Sequence, residues 1–175
     1  MKNMDKKTKI IIAVAAIFIV VATIFMFGGG IKTPTSSDTS DRATMPKATS
    51  TTSEITSGTV VEQDFKCSNS SFSKIAIVFN KLYDYEGSGI VVQLLKDNKV
   101  YSETYVDTVD ISDQHRVYFN VYPEVNNANK STFTIKIYSK NGIDSGVALM
   151  LSDKINTHFT FNNESIDGSI CFNVE

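Results

Sequence analysis

The sequence has no tryptophan, two histidines, two cysteines and three prolines in 175 residues. His115 and His158 are the only imidazoles, and no Gly-x-Ser-x-Gly, His-Glu-x-x-His or phosphate-binding glycine loop occurs. The expectation is therefore a protein that is not an enzyme. An excess of basic charge is also missing where it would matter. Residues 1–59 carry seven Lys/Arg against four Asp/Glu, net +3, and residues 60–175 carry ten against fifteen, net −5. An acidic domain lacks the basic patch that phosphate binding needs, so nucleic acid is excluded as the main partner. After residue 60 no stretch keeps a 3.6-residue apolar period over three turns, which argues against a helical domain.

What is present falls into unlike segments. Residues 10–27 (IIIAVAAIFIVVATIFMF) carry no charge, and Thr23 is their only polar residue. As a helix they would reach roughly 27 Å, close to the hydrocarbon thickness of a bilayer. Lys2, Lys6, Lys7 and Lys9 precede the run. The positive-inside rule then puts a basic tail, residues 1–9, in the cytoplasm and the remainder outside. Gly28 and Gly30 fit a signal-peptide cleavage site, but the apolar run is longer than a usual signal core, so a single-pass signal-anchor is expected. No cysteine follows the run, which excludes a lipoprotein anchor. Residues 28–59 read as a linker: positions 33–59 hold fifteen Ser/Thr in twenty-seven, too little apolar surface to offset chain entropy. A disordered stalk holding a domain off the membrane is the expectation.

About 116 residues remain, enough for one domain. Short alternating runs separated by turn residues predict nine strands, near 59–66, 73–80, 89–96, 99–106, 115–122, 131–138, 146–152, 157–162 and 168–174. Asp97-Asn98 and Asn141-Gly142 have hairpin-turn chemistry. One parity is apolar in strand after strand: Ile75, Ile77, Phe79; Ile90, Val92, Leu94; Val117, Phe119, Val121. Phe133, Ile135, Ile137; Val147, Leu149, Leu151; Phe159, Phe161; and Ile170, Phe172, Val174 continue the pattern. Strands with one face to bury make two sheets around one core, so the fold class is all-β, an antiparallel β-sandwich of jelly-roll type.

The runs SKIAIVFN (73–80), GSGIVVQL (87–94), FTIKIYS (133–139) and GSICFNV (168–174), with Phe65 before them, carry a resemblance. Residues 60–175 are similar to β-sandwich domains in the extracytoplasmic regions of bacterial membrane glycosyltransferases and other envelope proteins. The likeness is one of strand pattern, without a catalytic signature. It implies a jelly-roll-like accessory or ligand-binding role at the cell surface. The chain departs from those proteins in having one predicted span and no transferase region.

The polar parity supplies candidate site residues. Tyr101 and Tyr105 on the fourth strand, Tyr118 and Tyr122 on the fifth and Tyr138 on the sixth point away from the expected core, with Arg116, Asn120, Glu103 and Lys136 beside them. Rings next to hydrogen-bonding groups suit a sugar, so an envelope or environmental glycan is the expected ligand, although outward Tyr pairs also simply stabilise sheets. The missing tryptophan weakens the glycan reading. The competing reading is a structural or assembly subunit docking another envelope protein. The loop at 80–89 adds Tyr83 and Tyr85 as a second candidate rim, and its Asp84 and Glu86 are a sparse calcium candidate, since calcium takes six to eight oxygens. No other cofactor is expected. Asp107, Asp110 and Asp113 do not match the twelve-residue calcium loop. Cys67 and Cys171 are a candidate disulfide that an extracytoplasmic location permits and strand parity opposes.

Overall fold

Among the described residues the period-two alternation folds into twelve strands. In the computed structural model, residues 45–153 and 158–175 are described. The predicted basic tail, the membrane span at 10–27 and the linker up to residue 44 lie outside them. Among the described residues no helix is long and apolar enough to cross a membrane. In chain order the strands are β1 (Ser50–Thr51), β2 (Val60–Lys66), β3 (Ser71–Lys81), β4 (Gly89–Lys96), β5 (Lys99–Asp107) and β6 (His115–Asn126). They continue with β7 (Thr132–Ser139), β8 (Val147–Ser152), β9 (Phe159–Phe161), β10 (Glu164–Ser165), β11 (Ser169–Ile170) and β12 (Phe172–Val174). Short 3-10 turns occupy Thr108–Asp110 and Lys140–Gly142.

Two six-stranded sheets result. The front sheet runs β10-β9-β2-β7-β4-β5. The back sheet runs β1-β8-β3-β12, with β11 also paired to β8 and β6 to β3. Every pairing is antiparallel. The all-β sandwich expected from the sequence is what forms, and every apolar-parity residue named above lies in the core cluster or packs against it. Phe65 of β2 and Phe133 of β7 stack with centroids 5.6 Å apart, and Phe72 of β3 meets Phe133 edge-on at 5.5 Å, joining the sheets. Such offset and edge-on arrangements satisfy the ring quadrupoles while filling the interior.

Four local features differ from the sequence expectation. First, the last residues of the expected stalk belong to the fold. Thr49 and Thr52 N–H groups donate to Leu151 and Leu149 carbonyls (2.8 and 2.9 Å), and Ile55 N–H donates to Val147 (2.9 Å). Ile55 is fully buried in the core cluster. Backbone donors and one apolar anchor suffice to pin a Ser/Thr-rich strap to the edge of β8, whatever its average composition.

Second, the expected last strand is two. Its residues wedge between β8 and β3, and Cys171 is the fork: its N–H donates to Met150 of β8 (2.8 Å) and its carbonyl accepts from Val78 of β3 (3.0 Å). Third, Asp97-Asn98, with φ 51° and 59°, joins β4 to β5 as a hairpin, but Asn141-Gly142 does not make one. It links β7 of the front sheet to β8 of the back sheet. A hairpin does occur at Asn162-Asn163 between β9 and β10. Fourth, β5 bulges against β4, since Leu94 pairs with Ser102 but Leu95 with Val100, leaving Tyr101 as the extra residue. Beside it β6 leaves register with β3 between Asn120 and Val125. Tyr122 N–H donates to Ser102 Oγ and Tyr101 OH to the Glu124 carbonyl, each at 3.1 Å, tying the two sheets together at this side.

Candidate functional site

The outward parity of β2, β7, β4 and β5 lays two rows of side chains across the front sheet. Strand register aligns Glu62, Lys136, Gln93 and Glu103 in one row and Val60, Tyr138, Val91 and Tyr105 in the next. The first row is joined by charge and hydrogen bonds. Lys136 Nζ lies 3.2 Å from Glu62 Oε1, and Gln93 Nε2 donates to Glu103 Oε2 (2.6 Å) and to the Tyr138 hydroxyl (3.2 Å). The Tyr138 hydroxyl lies 3.5 Å from Glu103 Oε2. In the second row Val91 is buried between two rings, and Lys140 Nζ sits 3.7 Å above the Tyr105 ring while reaching Asp107 Oδ1 at 3.6 Å.

A groove of about 390 Å³ opens where these rows meet the 3-10 turn after β7. It is lined by Tyr138, Gln93, Lys136 and Ser139, which supply its polar and aromatic groups, and by Gly58, Thr59, Val60 and Gly142, with Val60 next to Tyr138 in the strand register. Gly58 follows from the turn that carries the strap into β2, in which Thr59 N–H donates to the Thr56 carbonyl (3.0 Å) and Gly58 takes φ 85°. That left-handed conformation favours glycine, and the place where its Cβ would be is open space. Burial first, then the charge of Glu103 and its hydrogen bond, push the Tyr138 phenol above its ordinary value. Tyr138 thus stays a neutral hydroxyl at physiological pH, and the residue is half-buried where it lines the groove. Its volume lies at the low end of small-molecule sites, and a ring beside an amide, a hydroxyl and an ammonium can stack on one face of a sugar and bond its hydroxyls.

The other expected site residues are dispersed. Tyr118, Asn120, Arg116 and Tyr122 all belong to β6 of the back sheet, so they share no face with Tyr105 and Tyr138. Arg116 Nη1 donates to the Tyr118 hydroxyl at 3.4 Å. Tyr101, expected to point outward, packs against the core because of the β5 bulge. Tyr83 and Tyr85 stand on the β3–β4 loop, away from the groove residues in sequence but on the same end of the sandwich. Of the calcium candidates, Asp84 is held by Lys81 Nζ at 2.8 Å, and no group of three or more His, Cys, Asp or Glu able to hold a metal gathers among the described residues. Both cysteines are buried free thiols: Cys67 lies in the core cluster, Cys171 outside it, as their parity requires. Burial raises the Cys171 thiol to about 11.

Gln93 and the segment Gly58–Val60 are groove residues that sequence reasoning passed over. The outward parity of Gln93 beside Lys136 was the available signal for the first. Nothing in the sequence marks the second, because it depends on where the strap lies. The chain matches no known protein family and has no significant similarity to any curated protein.

Proposed function

We propose that this chain is a membrane-anchored, extracytoplasmic β-sandwich module that binds an envelope or environmental glycan without catalysing a reaction. The single observation behind the ligand is the groove that Tyr138 and Gln93 line together with Gly58, Thr59 and Val60. The anchor rests on the apolar run at 10–27 and the lysines before it, the non-catalytic reading on the missing motifs. A jelly-roll-like description of the sandwich is favoured by a chain that passes repeatedly from one sheet to the other, at β1–β2, β2–β3, β3–β4, β5–β6, β6–β7, β7–β8, β8–β9 and β10–β11. The glycan would be held at the weak end of the affinity scale, millimolar to micromolar, since one ring and a few hydrogen bonds are available.

The competing role is assembly with another envelope protein. It is favoured by β5, which among the described strands pairs with β4 alone, exposes Val100 and Tyr105 and so leaves a strand edge for a partner. The two are separated by presenting the full-length chain in non-ionic detergent to isolated envelope polysaccharide and to solubilised membrane proteins. Retention on polysaccharide that falls with Tyr138→Ala supports the glycan role. Stable co-purification of one protein, with no polysaccharide retention, replaces it with the assembly role.

A further inference from the structure

Two loops interlock at one end of the sandwich, beyond the last residue of β3 and before the first of β8. Leu82 and Tyr83 N–H groups both donate to the Gly146 carbonyl, at 2.8 and 3.0 Å. Gly146 has φ 70°, and a Cβ on it would lie 2.2 Å from the Tyr83 carbonyl oxygen, so only glycine permits this approach. Ser88 Oγ donates to the Tyr85 carbonyl (2.7 Å), and Lys81 Nζ reaches both Asp84 Oδ1 (2.8 Å) and the Thr108 carbonyl (2.5 Å). The strap adds three further ties, Gly146 N–H to Glu54 Oε1 (2.9 Å), Ser57 N–H to Asp144 Oδ1 (2.7 Å) and Ser145 N–H to the Ile55 carbonyl (3.0 Å).

On this braced platform large apolar side chains face water: Leu82 is 40% exposed, Tyr83 57%, Tyr85 39% and Ile143, on the abutting loop, 39%. The Tyr83 and Tyr85 rings lie 5.9 Å apart and inclined by 36°. Carboxylates stand around them. Glu54, Asp84 and Asp144 take part in the ties just described, Glu86 is exposed on the same loop, and Glu54 and Asp144 act on the Tyr85 phenol, which burial first and then their charge raise above its ordinary value. Rigid aromatic and aliphatic side chains inside an acidic rim have the anatomy of a protein-binding surface, an apolar centre with a charged border.

We propose that this loop platform is a docking surface for a protein segment presenting an apolar side chain flanked by lysine or arginine. Charge complementarity selects that occupant. A second copy of the chain would set one acidic rim against another, and an anionic lipid surface or polymer would be repelled in the same way. Leu82 and Ile143 offer no hydrogen bond to a sugar, whereas tyrosine faces attract ammonium and guanidinium groups. The position suits a partner. The strap lies antiparallel on β8 and runs from Thr49 beside Leu151 to Ile55 beside Val147, so the chain comes in from the opposite end of β8 to the platform. None of Leu82, Tyr83, Tyr85 and Ile143 lines the groove, although Gly142 beside Ile143 does, and the proposal stands whether or not the groove binds a glycan.

The test uses the full-length chain in non-ionic detergent and two fluorescent peptides of equal length, one alternating lysine and leucine, the other glutamate and leucine, followed by anisotropy. The expected result is binding of the basic peptide alone, weakened by added salt and by about tenfold in Tyr83→Ser/Tyr85→Ser. Leu82→Ser/Ile143→Ser should weaken it too, and Tyr138→Ala should leave it unchanged. The two double variants alter different loops, so a folding defect in one leaves the other as the reading, with far-UV circular dichroism as the check. Absence of binding to the unaltered chain, equal binding of the acidic peptide, or undiminished binding in a folded double variant overturns the proposal.

Discussion

Replacing Ile55 by alanine tests whether the strap is part of the domain. Ile55 has no exposed surface and sits in the core cluster, while its neighbours in sequence are threonine, serine and glutamate. Truncating a buried isoleucine to alanine costs about 2–5 kcal/mol, the sum of lost transfer free energy and the cavity left behind. The strap lies at a sheet edge with a two-residue ladder, where the backbone can settle into the space, so about 2–3 kcal/mol is expected. For a domain of this size each kcal/mol moves the midpoint by roughly 3–5 °C, giving a drop of about 6–15 °C. Thermal and urea unfolding of the Ile55→Ala chain, followed by far-UV circular dichroism, measures this. A change below about 0.5 kcal/mol, the level of ordinary surface substitutions, would refute the reasoning and return residues 45–58 to the status of a free stalk.

Further outcomes follow from the same geometry. Gly146→Ala should destabilise by about 2–4 kcal/mol in chemical denaturation, since the new Cβ meets the Tyr83 carbonyl and the residue must hold φ 70°. Cys171 is held neutral by burial, with its thiol raised from 9.0 to about 11 in the folded chain. A raised pKa stabilises fully below pH 9 and the benefit is lost as pH climbs to 11, at most about 2–3 kcal/mol. Unfolding curves from pH 8 to 11 should therefore fall more steeply for the unaltered chain than for Cys171→Ala; equal slopes would contradict the assignment. Polysaccharide retention should survive a chelator of divalent cations, because the groove's lining offers no carboxylate among Gly58, Thr59, Val60, Gln93, Lys136, Tyr138, Ser139 and Gly142. Loss of retention on chelation would bring a cation back into the account.

The sandwich was legible because each strand buries one face. The parity of Ile90, Val92 and Leu94, or of Phe133, Ile135 and Ile137, reports in against out without any knowledge of neighbours. Parity is silent on which sheet a strand joins. Tyr118 and Tyr138 look alike as outward tyrosines, yet one is on the back sheet and the other on the front, so the single tyrosine platform dissolves into a groove carrying one of them. Bulges defeat parity locally, which is how Tyr101 turned toward the core. The strap was invisible for another reason. Its attachment is made by main-chain donors and acceptors that every residue possesses, and a lone Ile55 among hydroxyl side chains creates no periodicity. The fork at Cys171 is likewise a matter of main-chain bonding to two strands at once, and an alternating run of Ile170, Phe172 and Val174 gives no sign of it.

The central claim is that the front-sheet groove binds a glycan through Tyr138 and Gln93. Affinity electrophoresis of the full-length chain in detergent gels containing graded envelope polysaccharide tests it most directly. The account predicts retardation that increases with polysaccharide and is lost in Tyr138→Ala and in Gln93→Ala, while Tyr118→Ala, on the other sheet, migrates like the unaltered chain. Retardation that persists in both groove variants, or that disappears in Tyr118→Ala instead, would contradict it.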